Sequence, residues 1–171
     1  MEKPGMKTSL GKHEQPGDLL LRSGSKCMFP DLAHEMSSSV LAEEEAYRFV
    51  WDSSFDGLAS VYIGRSGEVV TLRARRSIFS FTAYPVAEHV LQLSPDQWGK
   101  FQRAVAAANF WSLDSFSDLS AGLDGAQWSI EGCRGGIYHA VHRWSPCDSV
   151  RELGDVFVGL AGPPLAAVHL Y

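Results

Sequence analysis

"AQWSIEGCRGGIYHAVHRWSP", residues 126–146, sets two runs of alternating polar and apolar residues on either side of a glycine pair. A period of two is the signature of a strand, and glycines between two such runs mark a hairpin. The stretch therefore reads as two antiparallel strands. Its register stays open at this level. A three-residue loop over Arg134–Gly136 sets Glu131 opposite His139 and Gln127 opposite Arg143. A two-residue loop sets Glu131 opposite Tyr138 and puts His139 on the Trp128 and Ile130 face.

Downstream, "SPCDSVRE" offers two overlapping helix-cap patterns, Ser145 with Asp148 and Ser149 with Glu152. Val150, Leu153, Phe157 and Leu160 then recur at three and four residues, which predicts an amphipathic helix over 148–161. Gly162 and the pair Pro163 and Pro164 end it. Upstream, the Ser, Asp and Gly residues of 111–125 predict a loop. Before that, Ser94, Pro95 and Gln97 form a capping-box entry to a helix over 95–109, with Trp98 and Phe101 packed on the sheet and Asn109 as a left-handed terminator.

"AYRFVWD" alternates again, with Tyr47, Phe49 and Trp51 on one face. "LASVYIG" and "EVVTLRARR" read as a second hairpin turning through "RSG", and "HVLQL" as a further short strand. The order is strands, helix, two strands, helix. It predicts an α+β fold, an antiparallel sheet of about five to six strands with two main helices on one face. Residues 1–42 lack a periodic apolar face and read as a disordered or loosely attached segment. Residues 43–162 form the single domain and 163–171 a C-terminal tail.

At 171 residues with 45% hydrophobic content, the chain is long enough for one sizeable core. A net charge of -5 argues against general nucleic-acid binding, which needs basic surface to displace counterions. No run is long and apolar enough for a signal peptide core or a membrane helix, so no membrane partner is expected. The three cysteines, Cys27, Cys133 and Cys147, make no complete disulfide framework and read as reduced thiols in a cytoplasm.

Chemistry-bearing residues crowd the 126–146 hairpin. Cys133, His139, His142 and Cys147 have the right donor types for zinc, but strand alternation sends the two histidines to opposite faces, so no metal is expected. Ser145 beside His142 suggests a nucleophile, yet it stands where a helix cap is wanted and no G-x-S-x-G elbow is present. Cys147 would sit in the first turn of the last helix, though a packed thiol is the commoner role. An acid–base pair of Glu131 with His139 depends on register. Arg73, Arg75 and Arg76, with Arg48 and Arg65, carry the chemistry for phosphate or carboxylate; the plainer reading is a solvated sheet edge. Neither a G-x-x-x-x-G-K-[ST] nor a G-x-G-x-x-G pattern occurs, and no cofactor is expected. Among the five tryptophans, Trp111 and Trp144 border loops and are the exposed candidates.

The run "LDGAQWSIEGCRGGIYHAVHRWSP", followed by "VRELGDVFVGLAG", resembles a group of small bacterial single-domain proteins. Their pattern joins a W-x-x-E strand, a Gly turn, a G-x-Y-H strand and an R-W-S-P helix entry. The resemblance covers roughly 46–161 and is strongest after 120. It implies a bacterial origin and a single domain, and it brings no activity or catalytic residues with it.

Two functional expectations follow. The first is a cytoplasmic, non-catalytic protein-binding domain, by class analogy an immunity-type protein that neutralises a bacterial toxin or effector. Its binding surface is His139, His142, Arg143, Trp144 and Trp111. The alternative is a small hydrolase or transferase with His139 or His142 as base, Glu131 as orienter and Arg143 for anion binding.

Overall fold

Tyr47, Phe49 and Trp51 alternate with Arg48, Val50 and Asp52 because they lie in a strand at the middle of the sheet. The computed structural model describes residues 43–77, 87–116, 124–163 and 165. The expectations for 1–42, and for most of the 163–171 tail, fall outside these residues.

Strands β1 (Glu45–Ser53), β2 (Gly57–Ser66), β3 (Val69–Ser77) and β4 (Ala87–Gln92) pair in succession, each antiparallel to the one before. Helix α1 (Pro95–Ala107) takes the chain back over the sheet. Strand β5 (Ala126–Arg134) can then pair with the free side of β1, and β6 (Ile137–Trp144) pairs with β5. Helix α2 (Ser149–Ala161) returns over the same face. The strand order is β4-β3-β2-β1-β5-β6, a six-stranded antiparallel sheet, and the fold class is the expected α+β.

The core lies between this sheet and the two helices. Phe101 of α1 meets Phe157 of α2 edge-on at 4.9 Å, and both rings rest on β1, Phe101 against Tyr47 and Phe157 against Phe49. Trp51 and Trp128 are fully buried on the same face. Trp98 is only half-buried, stacked on Phe101 at the margin.

Local chemistry sets the element ends. Ser94 and Gln97 form the reciprocal capping box of α1, with Pro95 in its first turn. Asn109 takes the left-handed conformation after it, φ 50°, and leads into a single 3₁₀ turn, Phe110–Ser112. Strand β2 runs on through Arg65 and Ser66, so the turn to β3 is Gly67–Glu68 rather than "RSG". At α2 the cap is Asp148, whose carboxylate accepts from Val150 N–H at 3.0 Å. Neither expected cap pair forms. Ser145 adopts a positive φ of 40°, and its hydroxyl accepts from Ala126 N–H at 3.0 Å, tying the end of β6 to the start of β5.

The cysteines correct the expectation of reduced thiols. Cys133 is fully buried and disulfide-bonded, whereas Cys147 is free, exposed and just ahead of α2 rather than inside it. A disulfide is a feature of oxidising compartments, so the cysteines do not place the chain in a cytoplasm. Among the described residues no helix is long and apolar enough to cross a membrane.

Candidate functional site

The hairpin turn decides where every candidate side chain points. Arg134 pairs with Ile137, which leaves Gly135–Gly136 as a two-residue turn. Both glycines have positive φ, 58° and 78°, as the tight turn that matches strand twist requires. Glu131 then stands opposite Ala140, and His139 opposite Gly132. Neither expected pairing of Glu131 occurs, although His139 does share a face with Trp128 and Ile130.

Alternation fixes the rest. His139, Val141 and Arg143 face the helices, while Tyr138, Ala140, His142 and Trp144 face the other way, with Ser129 and Glu131 of β5. Glu131 is held by Arg48 of β1: Nε donates to Oε2 at 2.9 Å and NH2 to Oε1 at 2.7 Å, with both side chains nearly buried. The structure thus separates Glu131 from His139, and His139 from His142. The four groups of the acid–base reading do not converge.

Arg143 is spent inside the fold. It is 8% exposed, and its guanidinium donates to the carbonyls of His142 and Asp114, each at 2.8 Å. This corrects its expected role as an anion-binding or partner-binding residue. Its work is to pin the 110–116 segment along β6, where His142 N–H also donates to Ser115 O at 2.8 Å.

His139 lies under that segment, 5.1 Å from the Phe110 ring and 6.3 Å from Trp111. Burial lowers its pKa below the ordinary histidine value. The nearby carbonyls of Leu113 and Phe110 draw it upward, and the Arg143 charge lowers it further. His139 Nε2 and Trp111 Nε1 are both buried with no hydrogen-bond partner among the described residues. Trp111 is half-buried rather than exposed; it packs on Phe110, and the Arg134 guanidinium lies over its ring at 5.0 Å. Trp144 is half-buried too, close against Gly125, where an added Cβ would stand 2.8 Å from the indole nitrogen.

On the far face, Ser129 Oγ lies 2.9 Å from His142 Nδ1, and Phe116 stacks on the His142 ring at 5.0 Å. A serine in a strand paired on both sides has poor oxyanion surroundings, because the neighbouring backbone N–H groups are engaged in the ladder.

The remaining constellations dissolve. Cys133 is in a disulfide and the two histidines face apart, and no metal-binding cluster occurs among the described residues. Strand β3 is an inner strand, so its arginines do not form a sheet edge. Arg75 pairs with Glu88 at 3.3 Å, and Arg65 with Glu44 and Glu45 at 3.5 Å each.

No protein-family model, curated protein or solved structure matches the chain. The site is therefore read from its own chemistry.

Ile137, on the His139 face at the hairpin tip, is 64% exposed, and Phe116, on the His142 face, is 69% exposed. With Arg134 over Trp111 they surround the histidine strand on both sides. Sequence reasoning missed all three of Ile137, Phe116 and Arg134. For Phe116 a signal was present, an aromatic residue flanked by Ser115 and Ser117 in a Ser/Asp-rich loop. For Ile137 none was, because an apolar residue on the core-facing side of a strand reads as core.

Proposed function

We propose that the domain is a non-catalytic protein-binding module that docks through the β6 end of its sheet. The surface comprises Trp111, Arg134, Ile137 and His139 on one side and Phe116 with His142 on the other. The observation that carries this reading is the pair of exposed apolar side chains, Ile137 beside an arginine stacked on a tryptophan on one face and Phe116 on the other. Exposed apolar groups near Trp and Arg have the composition of interface anchors. The placement of Glu131 and His139 on opposite faces, and the internal engagement of Arg143, support binding over catalysis.

The finer reading is an immunity-type protein that neutralises a bacterial toxin. It rests on class analogy for a small, mildly acidic α+β chain. A net charge of -5 suits a basic partner. The alternative reading, a hydrolase or transferase on the same hairpin, keeps one observation in its favour, the Ser129 and His142 contact.

The test is affinity capture from the native host with the parent and with the double variant Ile137→Asp, Phe116→Asp. A reproducible partner retained by the parent and lost by the double variant, with unchanged circular dichroism, supports the reading. No reproducible partner sinks it. A partner bound equally by both relocates the surface.

A further inference from the structure

The two edges of the sheet are finished differently. The outer side of β6 is covered by the chain itself, through Ser115 O and the bridge between Phe116 and His142. Strand β4 has no such cover among the described residues. Leu93 N–H donates to Val70 O at 2.9 Å, which sets the odd-numbered residues of this strand toward β3. The backbone groups of Glu88, Val90 and Gln92 therefore point outward.

Edges left open in this way are normally blunted by a lysine, a proline or a bulge. Here the six residues AEHVLQ contain no lysine or proline, and pairing with β3 runs unbroken from Ala87 to Gln92. Val90, at the centre of the outward row, is 54% exposed.

We propose that β4 pairs with β4 of a second copy of this chain, antiparallel and centred on Val90, to form one continuous sheet across a two-fold axis. In this register the edge is self-complementary. Val90 meets Val90 of the second copy, Glu88 meets Gln92, and His89 meets Leu91. Outward residues face outward residues, so the backbone groups of Glu88, Val90 and Gln92 find partners in pairs. Centring on Glu88 would oppose two carboxylates, which is unfavourable in a cross-strand pair. Centring on Gln92 would lose the apolar pair. A two-fold contact uses the same patch twice and closes, so it yields a dimer and not a fibre. This edge lies at the other end of the sheet from the docking surface proposed above, and the two inferences stand or fall separately.

The experiment is sedimentation velocity on the full chain across a concentration series. The expected result is a monomer–dimer equilibrium. Val90→Pro removes only an outward N–H, which an edge strand tolerates, and is expected to weaken the dimer by about tenfold or more. Should Val90→Pro fail to fold, Val90→Lys opposes two ammonium groups at the same point and reports the same contact. Gln92→Glu places a carboxylate opposite Glu88 twice over and weakens the dimer; adding Glu88→Lys restores it. A chain that is monomeric at every concentration overturns the proposal. So does a dimer indifferent to the Val90 substitutions, or one that Gln92→Glu leaves unchanged.

Discussion

Arg48 and Glu131 stand directly opposite each other on β1 and β5 and are joined by two hydrogen bonds, at 2.9 and 2.7 Å. The fork of the guanidinium matches the carboxylate, and both side chains are nearly out of water, 11% and 7% exposed. Removing either partner leaves the other charged and buried. Glu131→Ala is expected to cost about 3–5 kcal/mol, and Arg48→Met about as much. Replacing both by Met is expected to cost far less than the sum, because no charge is left buried at the pair. A double-mutant cycle by urea unfolding checks this. A loss below about 1 kcal/mol for Glu131→Ala would show a solvated pair.

Gly154 and Gly159 make an internal comparison within α2. In an open helix, alanine in place of glycine stabilises by about 0.5–1 kcal/mol. At Gly159 an added Cβ meets nothing within 4 Å, and the gain is expected in full. At Gly154 the Cβ would stand 2.3 Å from Trp128 Cζ3 and 3.3 Å from Phe49 Cε2, both on rings held fast in the core. The helix must lift, and Gly154→Ala is expected to destabilise by about 1–3 kcal/mol. Opposite signs in thermal melts of the two variants are the outcome to look for. A stabilising Gly154→Ala would contradict the packing of α2 on β5.

The elements legible in the sequence are those whose cause is local. The alternation of Tyr47, Phe49 and Trp51 and the capping box of Ser94 with Gln97 both appear as read. What failed depends on distant partners. The glycine pair could seat a turn at adjacent positions, and the structure sets it on Gly135–Gly136, which brings His139 opposite Gly132. Ser145 was lost as a cap because its hydroxyl is drawn to Ala126, nineteen residues away in sequence. Arg143 looked available because the Asp114 carbonyl it reaches comes from a loop. The histidines were placed on opposite faces by period alone, and that much of the candidate site was legible.

Trp98 and Phe101 share one face of α1 but differ in burial. Phe101 is fully buried among Tyr47, Trp98 and Phe157, whereas Trp98 caps the cluster from its half-exposed edge. Phe101→Ala is expected to cost about 3–5 kcal/mol. Trp98→Ala is expected to cost less, since its ring is only partly buried and a smaller cavity is left behind. Urea unfolding ranks the two. The reverse order would place the centre of the core at Trp98.

His139 gives stability a specific pH dependence. Its folded pKa is lowered, foremost by burial beside Phe110, so the unfolded chain takes up a proton first as pH falls. The unfolded state binds more protons in that window, and stability must rise with pH there. The contribution is intact above the ordinary histidine value of about 6.5. It is lost progressively as pH drops from there to the lowered folded value, below which this group adds no further slope. His139→Phe keeps an aromatic ring against Phe110 and Trp111 and cannot titrate. Its stability is expected to vary less between about pH 7 and 5 than the parent's, so the two curves separate on the acid side. Urea midpoints of both proteins across that range read the difference, and the other histidines and the carboxylates cancel in it. An imidazole proton titration by NMR reads the folded pKa directly. Parallel stability curves, or a His139 that titrates at or above 6.5, would show that the ring is solvated and not held under the 110–116 segment.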